Sequence, residues 1–253
     1  TAPYFTEYIR RKLEIIDEEL DINLYKDGLV VHTTLDSRIQ KALEEAFNTG
    51  MKKNQSIINE EFLQDPVKLE EAIGFTQYDM DSARLILKSN DTIPLSLRDQ
   101  LLVQGAGVAL DPVHGHILGM IGGRGEDIYR DHFNRATQAK RQPGSVFKPF
   151  IYLTALEQGH TTTTELLNQP LIVFIDDTTQ WNPQNHDGST GLLTTLREGL
   201  RRSLNLISVR VVQELVEPRY IVQNAKDFGL TTLIRSVDAI ALGVSEVYPL
   251  EIT

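Results

Sequence analysis

Pro143-Gly144-Ser145-Val146-Phe147-Lys148-Pro149 runs directly into Phe150-Ile151-Tyr152-Leu153-Thr154-Ala155-Leu156, and the fold is read outward from this junction. The second half has the length and apolar content of a buried helix that ends at Gly159. Ser145 and Lys148 then lie in its first turn. Residues three apart on a helix share a face, so the lysine amine can come within hydrogen-bonding range of the serine hydroxyl, a nucleophile beside a base. Pro149 cannot donate to the carbonyl four residues back, which belongs to Ser145, and its ring would clash there. The regular helix is therefore predicted to begin at or just after Ser145, with Ser145 to Lys148 tightened into a 3₁₀ turn. The helix N-terminus and burial should together hold Lys148 below the roughly 10.4 of a free lysine. The plainer alternative makes Ser145 an N-cap and Lys148 a solvated first-turn residue.

A second element follows downstream. After a helical stretch from Leu192 to Leu200 comes Arg201-Arg202-Ser203-Leu204-Asn205, then an amphipathic stretch carrying Ile207, Val211, Val212 and Leu215. Positions two apart diverge on a helix but point the same way in an extended turn. Ser203 and Asn205 can thus converge on one site only if the junction is a loop, where a hydroxyl and an amide could relay a proton and hold a carbonyl. Capping of the second helix by either residue is the competing reading.

Upstream, Gly105 to Leu110 and His116 to Ile121 flank the turn Asp111-Pro112-Val113-His114-Gly115, the signature of a β-hairpin. Gly122-Gly123-Arg124-Gly125 ends it without the Gly-Lys-Ser/Thr of a phosphate loop. His114 and His116 could face one side of a strand as metal ligands do, but no third ligand stands at a recognisable spacing, so they read as turn residues. Nearer the N-terminus, Ile9, Leu13 and Ile16 mark an exposed amphipathic helix from Thr6 to Leu20. Tyr25 to Gly28 reads as a turn, Leu29 to Thr34 as a short strand, and Asp36 as the N-cap of a helix holding Ile39, Leu43, Ala46 and Phe47. Between Gly50 and Arg98 polarity rises and periodicity weakens, which predicts a variable insertion with short helices.

Composition excludes several classes. The 253 residues carry a net charge of −10, against nucleic-acid binding, and Arg197, Arg201 and Arg202 read as solvated or salt-bridged. The absence of cysteine rules out disulfides, zinc-thiolate sites and thiol catalysis. Apolar runs such as Leu171 to Ile175 and Ile240 to Leu242 fall far short of the roughly 20 residues of a membrane span. Thr1-Ala2-Pro3-Tyr4-Phe5 lacks signal-peptide character, so any export or anchoring element is expected upstream.

Ser-x-x-Lys followed by Ser-x-Asn is the pattern of penicillin-binding proteins and serine β-lactamases. The surroundings, Phe133-Asn134-Arg135-Ala136-Thr137, Arg141 through Phe150 and Trp181-Asn182-Pro183-Gln184-Asn185, resemble class A penicillin-binding proteins more than β-lactamases. Ala2 to Phe5 with Leu24-Tyr25 and Gly28 to Asp36 resembles the stretch that joins glycosyltransferase to transpeptidase in those bifunctional enzymes.

The resemblance implies an α/β (α+β type) transpeptidase fold, an antiparallel sheet flanked by helices. Residues 1–98 would form a linker and interdomain region, its insertion at about 50–98, and 99–253 the N-terminal part of the transpeptidase domain. Ser145 would be the acylated nucleophile, Lys148 its base, Ser203 a proton relay and Asn205 a substrate-amide contact. Trp181 and Asn185 would border the cleft, and the Ser145 N–H would form half of the oxyanion hole. No metal or organic cofactor is implied. The expected partners are peptidoglycan stem peptides and β-lactams, with a glycosyltransferase domain and a membrane anchor upstream, in an extracytoplasmic location. A carboxypeptidase, a β-lactamase or a non-catalytic ligand sensor would use the same fold. The family's third motif, Lys-Thr/Ser-Gly, occurs nowhere in the sequence, so the fold is expected to be incomplete at the C-terminus. Residues 1–253 alone are accordingly expected to acylate negligibly and to dissolve poorly.

Overall fold

The computed structural model describes residues 2–20, 22–89, 93–124, 133–174 and 180–253; Gly125 and Ile175 lie outside them. The chain divides into two compact units, Thr1–Gln138 and Ala139–Thr253.

In the first unit, helix α1 spans Pro3–Leu20, with Tyr4 and Phe5 buried. Helix α2 spans Ser37–Gln64, and Asp36 caps it by accepting from the Arg38 and Ile39 N–H groups. Strands β1 (Gly107–Leu110) and β2 (Ile117–Ile121) pair antiparallel as the predicted hairpin, with Val108 opposite Met120. On the outer edge of β2, the buried Gln40 side chain accepts from the Met120 N–H at 2.9 Å and donates to the Met120 carbonyl at 3.2 Å. One amide thus satisfies two backbone groups that water would otherwise have to reach.

Leu29 to Thr34 is not a strand, contrary to expectation, and forms no ladder with β2. Only the Thr34 hydroxyl and the Asp36 N–H reach β2, at the Ile117 and Leu118 carbonyls, and Val30 is 80% exposed.

Helix α2 runs unbroken through Gly50, where the sequence suggested that an insertion begins. Helices α3 (Pro66–Ile73), α4 (Met80–Ser89) and α5 (Arg98–Leu101) follow. They enclose an apolar cluster of Leu69, Ile73, Ala83, Leu87, Leu97 and Leu101. Side-chain amides staple α2 to them: Asn59 donates to the Leu87 carbonyl and Gln55 to that of Leu101.

The second unit opens with helix α6, Lys148–Glu157, preceded by the 3₁₀ turn Gly144–Phe147. Ribbons β3–β6 (Glu165–Leu167 with Leu193–Thr195) and β4–β5 (Val173–Phe174 with Gln180–Trp181) are antiparallel. Helices α7 (Leu196–Arg201), α8 (Asn205–Arg210) and α9 (Pro218–Asp227) follow. Phe147, Ile151 and Tyr152 meet Leu204, Ile207, Val209, Ile221 and Ile240 in one core, which clamps the two motif-bearing segments together. The α/β class with antiparallel strands flanked by helices holds, its described strands forming three two-stranded ribbons.

Leu97 is fully buried in the helical cluster of the first unit. Leu97→Ala should lower the unfolding free energy by about 2–5 kcal/mol and Leu97→Met by less than about 1.5 kcal/mol. Denaturant titration checks this, and equal effects would mean that the cluster is loosely packed.

Candidate active site

Ser145 lies in the second position of the 3₁₀ turn, and the Lys148 N–H donates to its carbonyl. Pro149 has no N–H to offer that carbonyl, so the tighter bond from residue 148 takes over, as the sequence predicts. Ser145 is exposed, and no described group accepts from its N–H. A free N–H beside an exposed hydroxyl is what an oxyanion formed on that hydroxyl's acyl adduct requires.

The Lys148 amine is held by the second motif. Lys148 is 1% exposed, and its amine donates to the Ser203 carbonyl at 2.6 Å, the Asn205 Oδ1 at 2.8 Å and the Ser203 Oγ at 3.1 Å. The expected hydrogen bond to Ser145 is absent, because a buried amine is best compensated by carbonyl and amide oxygens in the interior. Burial pushes the amine down to about 8.

The three partners suit a neutral amine. Two N–H bonds go to the oxygens that only accept, the carbonyl and the amide. The lone pair is then left for a hydroxyl, that of Ser203 or of Ser145. The Asn205 orientation is set independently, since its Nδ2 donates to the Gln184 carbonyl at 2.9 Å.

Ser203 and Asn205 converge because the junction between α7 and α8 is a turn. The Leu204 N–H bonds to the Gly199 carbonyl and the Ser203 N–H to that of Leu200, a Schellman ending that needs a left-handed residue at position 203. Ser203 accordingly has φ of 55°, the one described non-glycine residue with positive φ. The α6 and α9 helices end with the same pair of bonds, and there the left-handed residues are Gly159 and Gly229.

Asn185 is 6% exposed, and its Nδ2 donates to Asn168 and to the Ser189 carbonyl while its Oδ1 accepts from the Leu206 N–H. It fastens the 184–189 loop to the first turn of α8. Ser145, Asn185, Asp187, Arg202, Ser203 and Asn205 border one cleft of about 430 Å³, with the lysine amine beneath it. Trp181, at the end of β5, instead packs against the core. Arg202 pairs with Asp187 at 3.2 Å and Arg201 with Glu198 at 2.8 Å, ordinary surface ion pairs.

Residues 105–241, more than half of the chain, match the penicillin binding protein transpeptidase domain. The chain belongs to that family. Penicillin-binding protein 1A of Neisseria flavescens is 40% identical over 154 residues, covering 60% of this chain and 19% of that protein. The crystal structure of penicillin-binding protein 1A from Haemophilus influenzae is 32% identical over 60% of this chain and 22% of its own, with a TM-score of 0.55. The PonA1 protein of Mycobacterium tuberculosis, in complex with penicillin V, covers 99% of this chain and 57% of its own at a TM-score of 0.63. Its 22% identity makes that a likeness of fold. The class A resemblance is upheld, and the chain spans about a fifth of the length of its first curated relatives.

Within this transpeptidase domain, one positioning element had no signal in the motifs. The Gly144 N–H donates to the Gly243 carbonyl at 3.2 Å, and Arg141 and Val247 exchange both backbone bonds, so residues 243–247 brace the turn that carries Ser145. Gly243 has φ of 64°, and a Cβ there would overlap the Gly144 carbonyl oxygen. Only its place in Ala241-Leu242-Gly243, after an apolar run, hints at a helix-ending glycine.

The two left-handed positions predict opposite responses. Ser203→Gly should keep the unfolding free energy within about 0.5 kcal/mol of the parent or raise it, since glycine adopts this conformation without strain. Gly243→Ala should lower it by at least about 1 kcal/mol, from backbone strain and overlap together. Urea titrations of both variants check the pair, and a neutral Gly243→Ala would remove the brace from the account.

Proposed function

We propose that this domain cross-links peptidoglycan by serine acyl transfer, with Ser145 as the nucleophile and the buried Lys148 amine as its base. The observation that carries the reading is the amine itself, bonded to Ser203 and Asn205 beneath the cleft that Ser145 borders. Neutral Lys148 takes the Ser145 proton as Oγ attacks the carbonyl carbon of a D-alanyl-D-alanine amide. The oxyanion forms at the free Ser145 N–H. Collapse breaks the C–N bond, and D-alanine leaves with the proton returned through Lys148 and the Ser203 hydroxyl. An amine of a second stem peptide then attacks the ester, forms the new amide and restores the serine. A β-lactam ring would open on the same oxygen and stay attached.

Asn205 orients Lys148 and presents its amide at the cleft, while Asn185 acts by holding the loop beside it. Trp181 supports the 182–185 segment from the core. In the whole protein, residues 1–98 would serve as the linker and interdomain region and 99–253 as the front of the transpeptidase domain. A glycosyltransferase domain and membrane anchor would complete an extracytoplasmic synthase. Among the described residues, no helix is long and apolar enough to cross a membrane. The sequence contains no Lys-Thr/Ser-Gly segment, which in the family supplies the second oxyanion donor. Loss of one such donor costs about 10²–10³ in rate, so the 253-residue chain should acylate slowly.

In a polypeptide extended by a Lys-Thr/Ser-Gly strand, fluorescent penicillin should label Ser145, and Ser145→Ala should abolish the label. The neutral fraction of an amine with a pKa of about 8 rises tenfold per pH unit below that value, so acylation should climb with pH and level off above about 8. Lys148→Arg, permanently charged, should lose about 10²–10⁴ in rate. A peptide map placing the adduct elsewhere, or a parental rate for Lys148→Arg, would refute the assignment.

A further inference from the structure

The β1–β2 turn brings together three groups that the transpeptidase reading leaves unused: Asp111, His114 and His116. Their spacing along the chain supplies two imidazoles and no recognisable third ligand, but the hairpin adds the carboxylate. The Asp111 N–H donates to the His116 carbonyl at 2.8 Å, so these two residues face each other across the base of the turn. The Asp111 carbonyl accepts from the Gly115 N–H at 2.8 Å, and its carboxylate accepts from the Val113 N–H at 3.0 Å. His114 is thereby folded back over the pair. Its Nδ1 lies 2.6 Å from the Asp111 Oδ2, and its ring stacks on that of His116 with centroids 5.3 Å apart and 19° between the planes. One donor atom from each of the three side chains lies within 4.8 Å of the others.

We propose that this turn is a zinc site, with Asp111, His114 and His116 as its three protein ligands. Two imidazoles and a carboxylate are a donor set for a borderline divalent cation, and three protein ligands with an open position suit Zn²⁺. Zinc–nitrogen and zinc–oxygen bonds of about 2.0–2.2 Å place tetrahedral ligands roughly 3.3–3.5 Å apart. Both histidines are exposed, so their side chains can adjust to that spacing without displacing buried neighbours. The backbone is already shaped: Pro112 fixes one torsion, Gly115 takes φ of 69°, and the β1–β2 pairing sets the register at both ends. Zinc would insert between the His114 Nδ1 and the Asp111 carboxylate, the ring proton moving to Nε2. The remaining coordination position faces solvent, open to water or to a ligand from an approaching molecule.

The test is calorimetric titration of the protein with ZnCl₂ in a non-chelating buffer, alongside His114→Ala, His116→Ala and Asp111→Asn, with His32→Ala as the control. One equivalent should bind to the parent and to His32→Ala. Each of the three ligand variants should bind at least tenfold more weakly, since even outer-shell partners of a metal are worth 10–100-fold. Asp111→Asn keeps an oxygen for the Val113 N–H, which separates loss of a ligand from loss of the turn. Absence of a one-equivalent event up to millimolar zinc, or undiminished binding in His114→Ala and His116→Ala, would overturn the site.

Discussion

The second unit is organised around one buried amine. Removing an ammonium from water costs several kcal/mol, and the interior around Lys148 offsets that with a backbone carbonyl, an amide oxygen and a hydroxyl. Each of those oxygens is placed by a separate local device. A left-handed cap aims the Ser203 carbonyl and hydroxyl, the Gln184 carbonyl orients the Asn205 amide, and Pro149 confines Lys148 to the start of a helix whose preceding turn is 3₁₀. The outcome is an amine held at about 8, three residues along the chain from an exposed serine.

Ser203 is where local preference yields to chemistry. Three helices in this unit end in the same way, and glycine takes the left-handed position at Gly159 and Gly229 without steric penalty. A serine in that conformation stores roughly 1–3 kcal/mol of strain, which persists only where the surroundings over-determine it. Leu204, at 1% exposed, anchors the next residue in the core and holds the turn in place. The strain keeps a hydroxyl beside the lysine amine, which glycine cannot supply.

Much of this was legible in the sequence, for reasons that differ by residue. Pro149 announces the 3₁₀ turn because a missing N–H is a local fact, and the hairpin shows because Asp111 to Gly115 interrupts two apolar runs. Leu29 to Thr34 misled because strand propensity says nothing of whether a partner strand lies alongside. The weak periodicity after Gly50 has a physical origin: Gln55 and Asn59 are polar residues used inward, as hydrogen-bond staples, so that part of the helix reads as solvent-facing. At the site, Ser145, Lys148, Ser203 and Asn205 were readable as residue types at meaningful spacings. The direction of the Lys148 amine, the structural use of Asn185 and the Gly243 brace depend on segments distant in sequence.

The central claim is that burial, not contact with Ser145, tunes Lys148. The direct measurement is NMR titration of the lysine side chains, with Lys148 assigned through Lys148→Arg. One resonance, lost in Lys148→Arg, should titrate near pH 8, and Ser145→Ala should leave that value in place. A Lys148 that titrates near 10.5 with the fold intact, or one whose shift vanishes in Ser145→Ala, would contradict the account.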